Sequence, residues 1–175
     1  GFVASLARPG GNITGLSNLG PELSGKRLEL LKEVLPSLTR VAIFGTSNFP
    51  GNAQILKETQ RTAGVMKLQL QYVDVLDSKR IETAFQEVKK GHAEAVLVTA
   101  GRVFTSERPK LAAFAVKSRV PAIYYATEFV EDGGLMTYGA NRSELSRRAA
   151  TYVDRILKGA KPADLPVEQP KKFEF

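Results

Sequence analysis

Four short apolar runs limit what this chain can fold into: VAIF (41–44), LQLQYVDV (68–75), AVLV (95–98) and PAIYY (121–125). Their β-branched and aromatic content and their length mark them as strands, and residues of helical periodicity separate them. Residues 68–75 alternate apolar with polar at first, as an edge strand with one wet face does, whereas 95–98 is apolar throughout and suits burial on both faces. Between the strands, Leu28, Leu31 and Leu35 form the stripe of a helix over 25–35 that Pro36 stops. Ile55, Leu56, Thr59 and Ala63 line a second helix ending at Gly64, and Ile81, Ala84, Phe85 and Val88 a third, capped by Asp77 or Ser78. Thr105 or Ser106 caps a helix running to about Ser118, Leu135–Tyr138 is a last short strand, and Ser143–Lys158 a long helix carrying Leu145, Ala149, Tyr152, Val153 and Ile156. Residues 2–7 read as a short helix ended by Pro9, Gly10 and Gly11. Strands alternating with helices at this spacing predict an α/β fold, a doubly wound parallel sheet in a three-layer αβα arrangement.

Arg40–Asn52 (RVAIFGTSNFPGN) is the stretch richest in consequence. A buried strand stops at Gly45, a polar turn of Thr46, Ser47, Asn48, Pro50 and Gly51 follows, and a helix starts near Asn52. In open parallel sheets ligands sit outside the carboxyl ends of the strands, where such loops converge. The same residue types also serve ordinary turns and caps.

At 175 residues the chain can bury a full core, and no run of about 18 apolar residues occurs. Without cysteine there are no disulfides, thiolate nucleophiles or thiolate metal ligands. The formal charge of +7 raises the question of nucleic acid. The basic residues are scattered at helix positions and several stand three residues from a glutamate, such as Glu29 with Lys32 and Glu58 with Arg61. That pattern is a solvated face, and nucleic acid is not an expected partner. The start, GFVASLARPGG, lacks the basic and long apolar regions of a signal peptide and an initiator Met, which leads to the expectation that the chain is a piece of a longer one.

Few enzyme chemistries have their parts. The single histidine, His92, follows a helix end, where it complements the helix dipole. With no second histidine, transition-metal sites and histidine-dependent triads are incomplete. Gly15–Leu19 (GLSNL) fails the nucleophile elbow at position 19, and Gly10–Gly15 has the spacing of a phosphate loop but not its Lys-Ser/Thr continuation. Carboxylates remain: Asp74 and Asp77, and Glu128, Glu131 and Asp132, which could run acid–base chemistry or hold a divalent cation, or serve as caps and solvated loops.

What survives is a set of small polar and aromatic groups where the parallel strands finish. Thr46, Ser47, Asn48, Gly51 and Asn52 leave the first strand, Thr99 and Ala100 the third, and Tyr125, Thr127, Glu128 and Phe129 the fourth. The helix start at Gly51–Asn52 offers backbone N–H groups to a carboxylate, Glu128 could neutralise an ammonium, and Phe129 or Tyr125 could face an apolar side chain. Such a surface suits a small zwitterion. A binding module is therefore expected, with no catalytic residue, metal or cofactor.

Several stretches resemble one family. They are ASLARPGGNITGLSNL (4–19), ELSGKRLELLKEVLP (22–36), the 48–52 loop, EFVEDGGLMTYG (128–139) and RRAATYVDRILKGAKPADLPVEQPKKFE (147–174). These resemble the ABC-transporter substrate-binding proteins, in the branch similar to tryptophan and tyrosine binders with a type I periplasmic-binding-protein fold. The resemblance implies two α/β lobes joined by three crossing segments and closing on ligand. It implies that 1–20 is a first-lobe remnant and hinge crossing, 21–160 the α/β ligand-binding lobe, and 161–175 a hinge or C-terminal crossing tail. Residues 12–19, 138–142 and 165–175 match the crossings. Between Thr99 and Thr105 the chain has AGRVF where relatives often carry an acidic, proline-containing loop.

The implied function is the solute-binding component of an ABC importer, holding half of a cleft for an aromatic or branched amino acid. The implied partners are that ligand and an ABC permease, with the membrane met only through the transporter at an extracytoplasmic location. The alternatives are an effector-sensing domain of a regulator and, after it, a carboxylate-dependent enzyme. A lone lobe would expose its cleft face and hinge edges, so self-association or weak stability is expected. Light scattering over rising concentration checks this; a stable monomer at high concentration counts against it.

Overall fold

β1 (Arg40–Gly45) is apolar on both sides because it lies in mid-sheet, and the rest of the sheet is laid out from it. The computed structural model describes residues 2–175. Clustering of contacts divides them into two compact units, Gly20–Gly139 and a second made of residues 2–19 with Ala140–Glu174.

In the unit Gly20–Gly139, β1 pairs in parallel with β2 (Gln69–Asp74) on one side and β3 (Ala95–Val98) on the other. β4 (Ala122–Tyr124) and β5 (Met136–Thr137) extend the sheet beyond β3, all parallel, in the order β2-β1-β3-β4-β5. The chain leaves β1 toward one edge and returns to β3 on the other side, so the topological switch lies between β1 and β3. Strand period two divides the core. Val41, Ile43, Ala95, Leu97 and Ile123 join Leu28 and Leu31 of α1 (Gly20–Val34) and Ala63 of α2 (Asn52–Met66) on one face. Ala42, Phe44, Val96, Val98 and Tyr124 face the other way. There they meet Ile81, Ala84, Phe85 and Val88 of α3 (Arg80–Lys90). Phe104 of α4 (Arg102–Ser106), Leu111 and Ala115 of α5 (Arg108–Ser118) and Phe129 of α6 (Glu128–Glu131) complete that face. The result is the expected three-layer α/β sheet. Each large apolar side chain so buried contributes roughly 1.5–3 kcal/mol.

Local departures from the sequence reading have identifiable causes. α1 begins five residues early because Pro21 is accommodated in its first turn, where a missing N–H costs nothing. α2 runs past Gly64 and stops at Lys67, whose left-handed backbone (φ 56°) lets its N–H reach the carbonyls of Ala63 and Gly64. Thr105 and Ser106 do not cap a helix. They lie inside α4 and bond back to the carbonyls of Gly101 and Arg102. Residues 2–7 form turns closed by Ala4 N–H to Pro9 O rather than a helix. Asp77 does cap α3, accepting from the N–H groups of Lys79 and Arg80.

One buried cation stands out. Arg27 of α1 is only 3% exposed, donates through Nε to the Tyr138 carbonyl at 2.6 Å and through a terminal nitrogen to Ser24 Oγ at 3.3 Å. Burial pushes its guanidinium down to about 10, partly opposed by Tyr125 and Tyr138. Its contacts fix the chain where it leaves β5.

The other unit contains β6 (Gly139–Ala140) at its boundary, α7 (Arg142–Leu157), a 3₁₀ turn over Pro162–Asp164 and β7 (Phe173–Glu174), which pairs with β6. Asn141 caps α7 by accepting from Glu144 N–H at 2.6 Å. Leu16 bridges Glu168 in parallel, Thr14 Oγ1 donates to Leu165 O, and Tyr152 OH donates to Pro166 O. Arg148 grips both oxygens of Glu168. Of the α7 apolar residues named from the sequence, Tyr152 alone is buried, and Val153 and Ile156 are exposed. α7, which the sequence reading puts in the 21–160 lobe, groups with residues 2–19 by its contacts. No helix among the described residues is long and apolar enough to cross a membrane.

A carboxylate ties the amino ends of two strands together. Glu94, just before β3, accepts from the N–H groups of Thr39 (2.6 Å) and Arg40 (3.0 Å) and from Thr39 Oγ1. These bonds hold its pKa below the usual 4.5. A carboxylate depressed in the folded state stabilises above the unfolded value, and that stabilisation is lost as pH falls through the folded one. Urea unfolding at several pH values therefore should show Glu94→Gln less stable than the parent at pH 7. The difference should close below pH 4.5; equal stability at pH 7 would remove the clamp from the account.

Candidate functional site

Three loops emerge at the carboxyl ends of β1, β3 and β4, which are adjacent in the sheet. Every residue expected at the site lies on one of them. The structure thus gathers Thr46–Asn52, Thr99–Ala100 and Tyr125–Phe129 on one rim of the unit Gly20–Gly139.

Within that rim the residues divide by exposure. Thr46, Thr99 and Phe129 are buried and spend their side chains on the fold. Thr46 Oγ1 donates to Val75 O at 3.1 Å, and Thr99 Oγ1 donates to Phe44 O at 2.9 Å, so each hydroxyl fastens its loop to a neighbouring strand. Phe129 stacks on Tyr124 with ring centroids 4.6 Å apart and meets Tyr125 edge-on at 5.2 Å. Ser47, Asn48 and Gly51 are exposed, while Ala100, Tyr125, Thr127 and Glu128 are half-buried. Tyr125 OH shares a 2.7 Å hydrogen bond with Thr105 Oγ1, and this fixes the phenol at the rim.

Asn52 is the most constrained polar residue of the group. It is 6% exposed at the first position of α2, its Nδ2 donates to Tyr72 OH at 3.2 Å, and its Oδ1 is buried with no partner among the described residues. Gly51 ahead of it takes a left-handed backbone (φ 95°) and the helix starts without a side-chain cap, while the Asn52 N–H is taken by Phe49 O at 3.0 Å. Gly45 makes room for the arrangement. A Cβ there would stand 2.6 Å from a Tyr72 ring carbon and 2.7 Å from Asn52 Oδ1. Burial raises the pKa of Tyr72, with the Asn52 hydrogen bond acting against it and the charge of Asp74 adding to it. The phenol is held neutral and able to donate.

The carboxylates considered for acid–base or metal chemistry are spread over separate structural duties. Asp74 accepts from Ser47 N–H (2.8 Å), Ser47 Oγ (2.7 Å) and Tyr72 OH (3.2 Å). Asp77 caps α3, and Asp132 pairs with Arg108 at 2.9 Å. Among the described residues no group of three or more His, Cys, Asp or Glu is placed to hold a metal ion. The AGRVF stretch leads into α4, with Gly101 at its N-cap packed close to Thr46 Oγ1 and Phe104 and Arg102 exposed as its first residue.

Sequence reasoning missed Tyr72 and Thr105 as parts of this rim and left Asp74 open between acid–base or metal chemistry and a cap or loop role. A signal was there for Tyr72 with Asp74: they stand two apart at the end of a strand, hence on one side of it. The parallel register sets Tyr72 beside Ile43 and Asp74 beside Gly45, where the loop begins.

Comparisons with known proteins bear on the fold and the family. The chain is 25% identical over 169 residues to a tyrosine-binding protein of Clostridioides difficile (strain R20291), a match covering 95% of this chain and 48% of that protein. It is similar to the structure of an ABC domain in complex with L-Trp from Streptococcus pneumonia, with 26% identity and a TM-score of 0.86 over 98% of this chain and 59% of that one. A conserved domain protein from Vibrio cholerae shares the fold, at 24% identity and a TM-score of 0.89 over 98% of this chain and 57% of the other. The chain thus spans about half the length of the curated relative it matches. The family described as ABC transporter substrate binding protein matches residues 1–175, the whole chain, and with the type I periplasmic-binding-protein sheet and its rim this chain belongs to that family.

Proposed function

We propose that this chain supplies one half of the ligand cleft of an ABC importer's solute-binding protein, and that the ligand is an amino acid with an aromatic or branched side chain. The observation that carries the reading is the rim itself. Exposed Ser47 and Asn48 and the uncapped start of α2 stand at one part of it, with half-buried Tyr125, Thr127 and Glu128 at another, across the switch point of a parallel sheet. Two relatives support the ligand class, one named for tyrosine and one bound to L-Trp.

In this reading Asn48, Asn52 and the first-turn N–H groups of α2 take the polar end of the ligand, with Thr127 and Glu128 opposite. Tyr125 flanks the side chain. Residues 21–160 act as the ligand-binding lobe, with 1–20 and 161–175 as hinge segments. Differential contacts in a closed state draw the lobes together, and an ABC permease at the membrane receives the ligand on its extracytoplasmic side. No covalent step is involved. An effector-sensing domain could use the same rim, but the family favours a transport protein.

Titration calorimetry of L-tyrosine, L-tryptophan and L-leucine into the full-length protein tests the reading. Asn48→Ala and Asn52→Ala should each weaken binding by about tenfold, the loss of one to two polar contacts of roughly 0.5–1.5 kcal/mol each. Unchanged affinity in both, with melting temperatures near the parent's, would reject the assignment.

A further inference from the structure

The ligand loop is fastened at both of its ends to the edge strand β2. At the near end, the Asp74 carboxylate receives Ser47 N–H on one oxygen (2.8 Å) and Ser47 Oγ–H on the other (2.7 Å). At the far end, Asn52 Nδ2 donates to Tyr72 OH, and that hydroxyl donates on to Asp74 (3.2 Å each). Ser47, Asp74, Tyr72 and Asn52 therefore form one hydrogen-bonded chain spanning the loop from its second residue to the first of α2. Asn48 sits between the anchors, exposed.

Both oxygens of Asp74 are occupied by donors from the loop and from Tyr72. The carboxylate accordingly acts through Ser47 rather than on a ligand. A loop left free would have to be ordered at the moment of binding, at roughly 1–2 kcal/mol for each residue fixed. Ordering it beforehand removes that cost from the binding step. The Tyr72 ring completes the device by lying against Gly45, where an added Cβ would stand 2.6 Å from a ring carbon.

We propose that Asp74 and Tyr72 are positioning residues for ligand binding, presetting Ser47, Asn48 and Asn52 from the edge strand. The inference rests on the functional reading above. It extends that reading from the rim to two residues whose side chains need never touch the ligand.

The test uses the full-length protein with L-tryptophan and L-tyrosine as probes. Calorimetry is run on Asp74→Ala, Asp74→Asn, Tyr72→Phe, Ser47→Ala and the double variant Asp74→Ala/Ser47→Ala, and amide hydrogen exchange is measured at Ser47 without ligand. Asp74→Ala should bind about tenfold more weakly and exchange the Ser47 amide faster. The double variant should be no weaker than the worse single one, because both remove the same link. Asp74→Asn retains an acceptor for Ser47 N–H and should restore affinity to within about threefold of the parent. Tyr72→Phe, which cuts only the far anchor, should fall between the two.

Three results would overturn the inference: parent-like binding by Asp74→Ala, additive losses in the double variant, or an Asp74→Asn as weak as Asp74→Ala. A parent that binds neither amino acid would instead overturn the functional reading. In that case unaltered Ser47 exchange in Asp74→Ala would separately remove the anchor.

Discussion

The pairing of β1 with β2 on one side and β3 on the other is the constraint from which the rest follows. A strand hydrogen-bonded along both edges and covered on both faces has no freedom to slip. A shift of one residue would turn Val41 and Ile43 toward the α3 side and Ala42 and Phe44 toward α1 and α2. With its register so fixed, the end of β1 at Gly45 is fixed too, and the loop that follows starts from an immobile point. The switch in connection direction beside it leaves that loop uncovered by any helix crossing back over the same gap.

Polar side chains then hold the loops to the sheet in two different ways. Thr46 and Thr99 are buried; Thr46 donates to Val75 O just past β2, and Thr99 Oγ1 donates to Phe44 O of β1, which also accepts the Thr99 N–H. Ser47 is exposed, and its anchor is a charged one, the Asp74 carboxylate, whose bonds to N–H and O–H are stronger than neutral ones. Arg27 does comparable work just past the carboxyl end of β5 by fixing the Tyr138 carbonyl from within α1. Its guanidinium is desolvated in return, which lowers its pKa.

Much of this was legible in the residues. The apolar runs located β1, β3 and β4, the alternation of 68–75 placed β2 at an edge, and the candidate residues lie, as expected from chain order, in the loops after the strands. What could not be read was the fate of each hydroxyl. Ser47 and Thr46 are neighbours of similar chemistry, yet one is at the surface and the other inside; only the path of β2 past the loop decides which. Helix ends failed where a non-glycine residue took the left-handed turn, as at Lys67, because propensity favoured Gly64 while the packing of Leu68 on the sheet carried the helix further. The helix α7 was read from its apolar residues. How much of it is covered depends on neighbours in the folded chain, which periodicity does not contain.

The separation between buried hydroxyls and exposed rim residues bears on how such a sheet diversifies. Asn48, Ala100 and Thr127 can be exchanged without unmaking the bonds of Thr46 and Thr99 that keep their loops in place. In the proposed cleft, the side chains that would meet a ligand are therefore different ones from those that hold the loops.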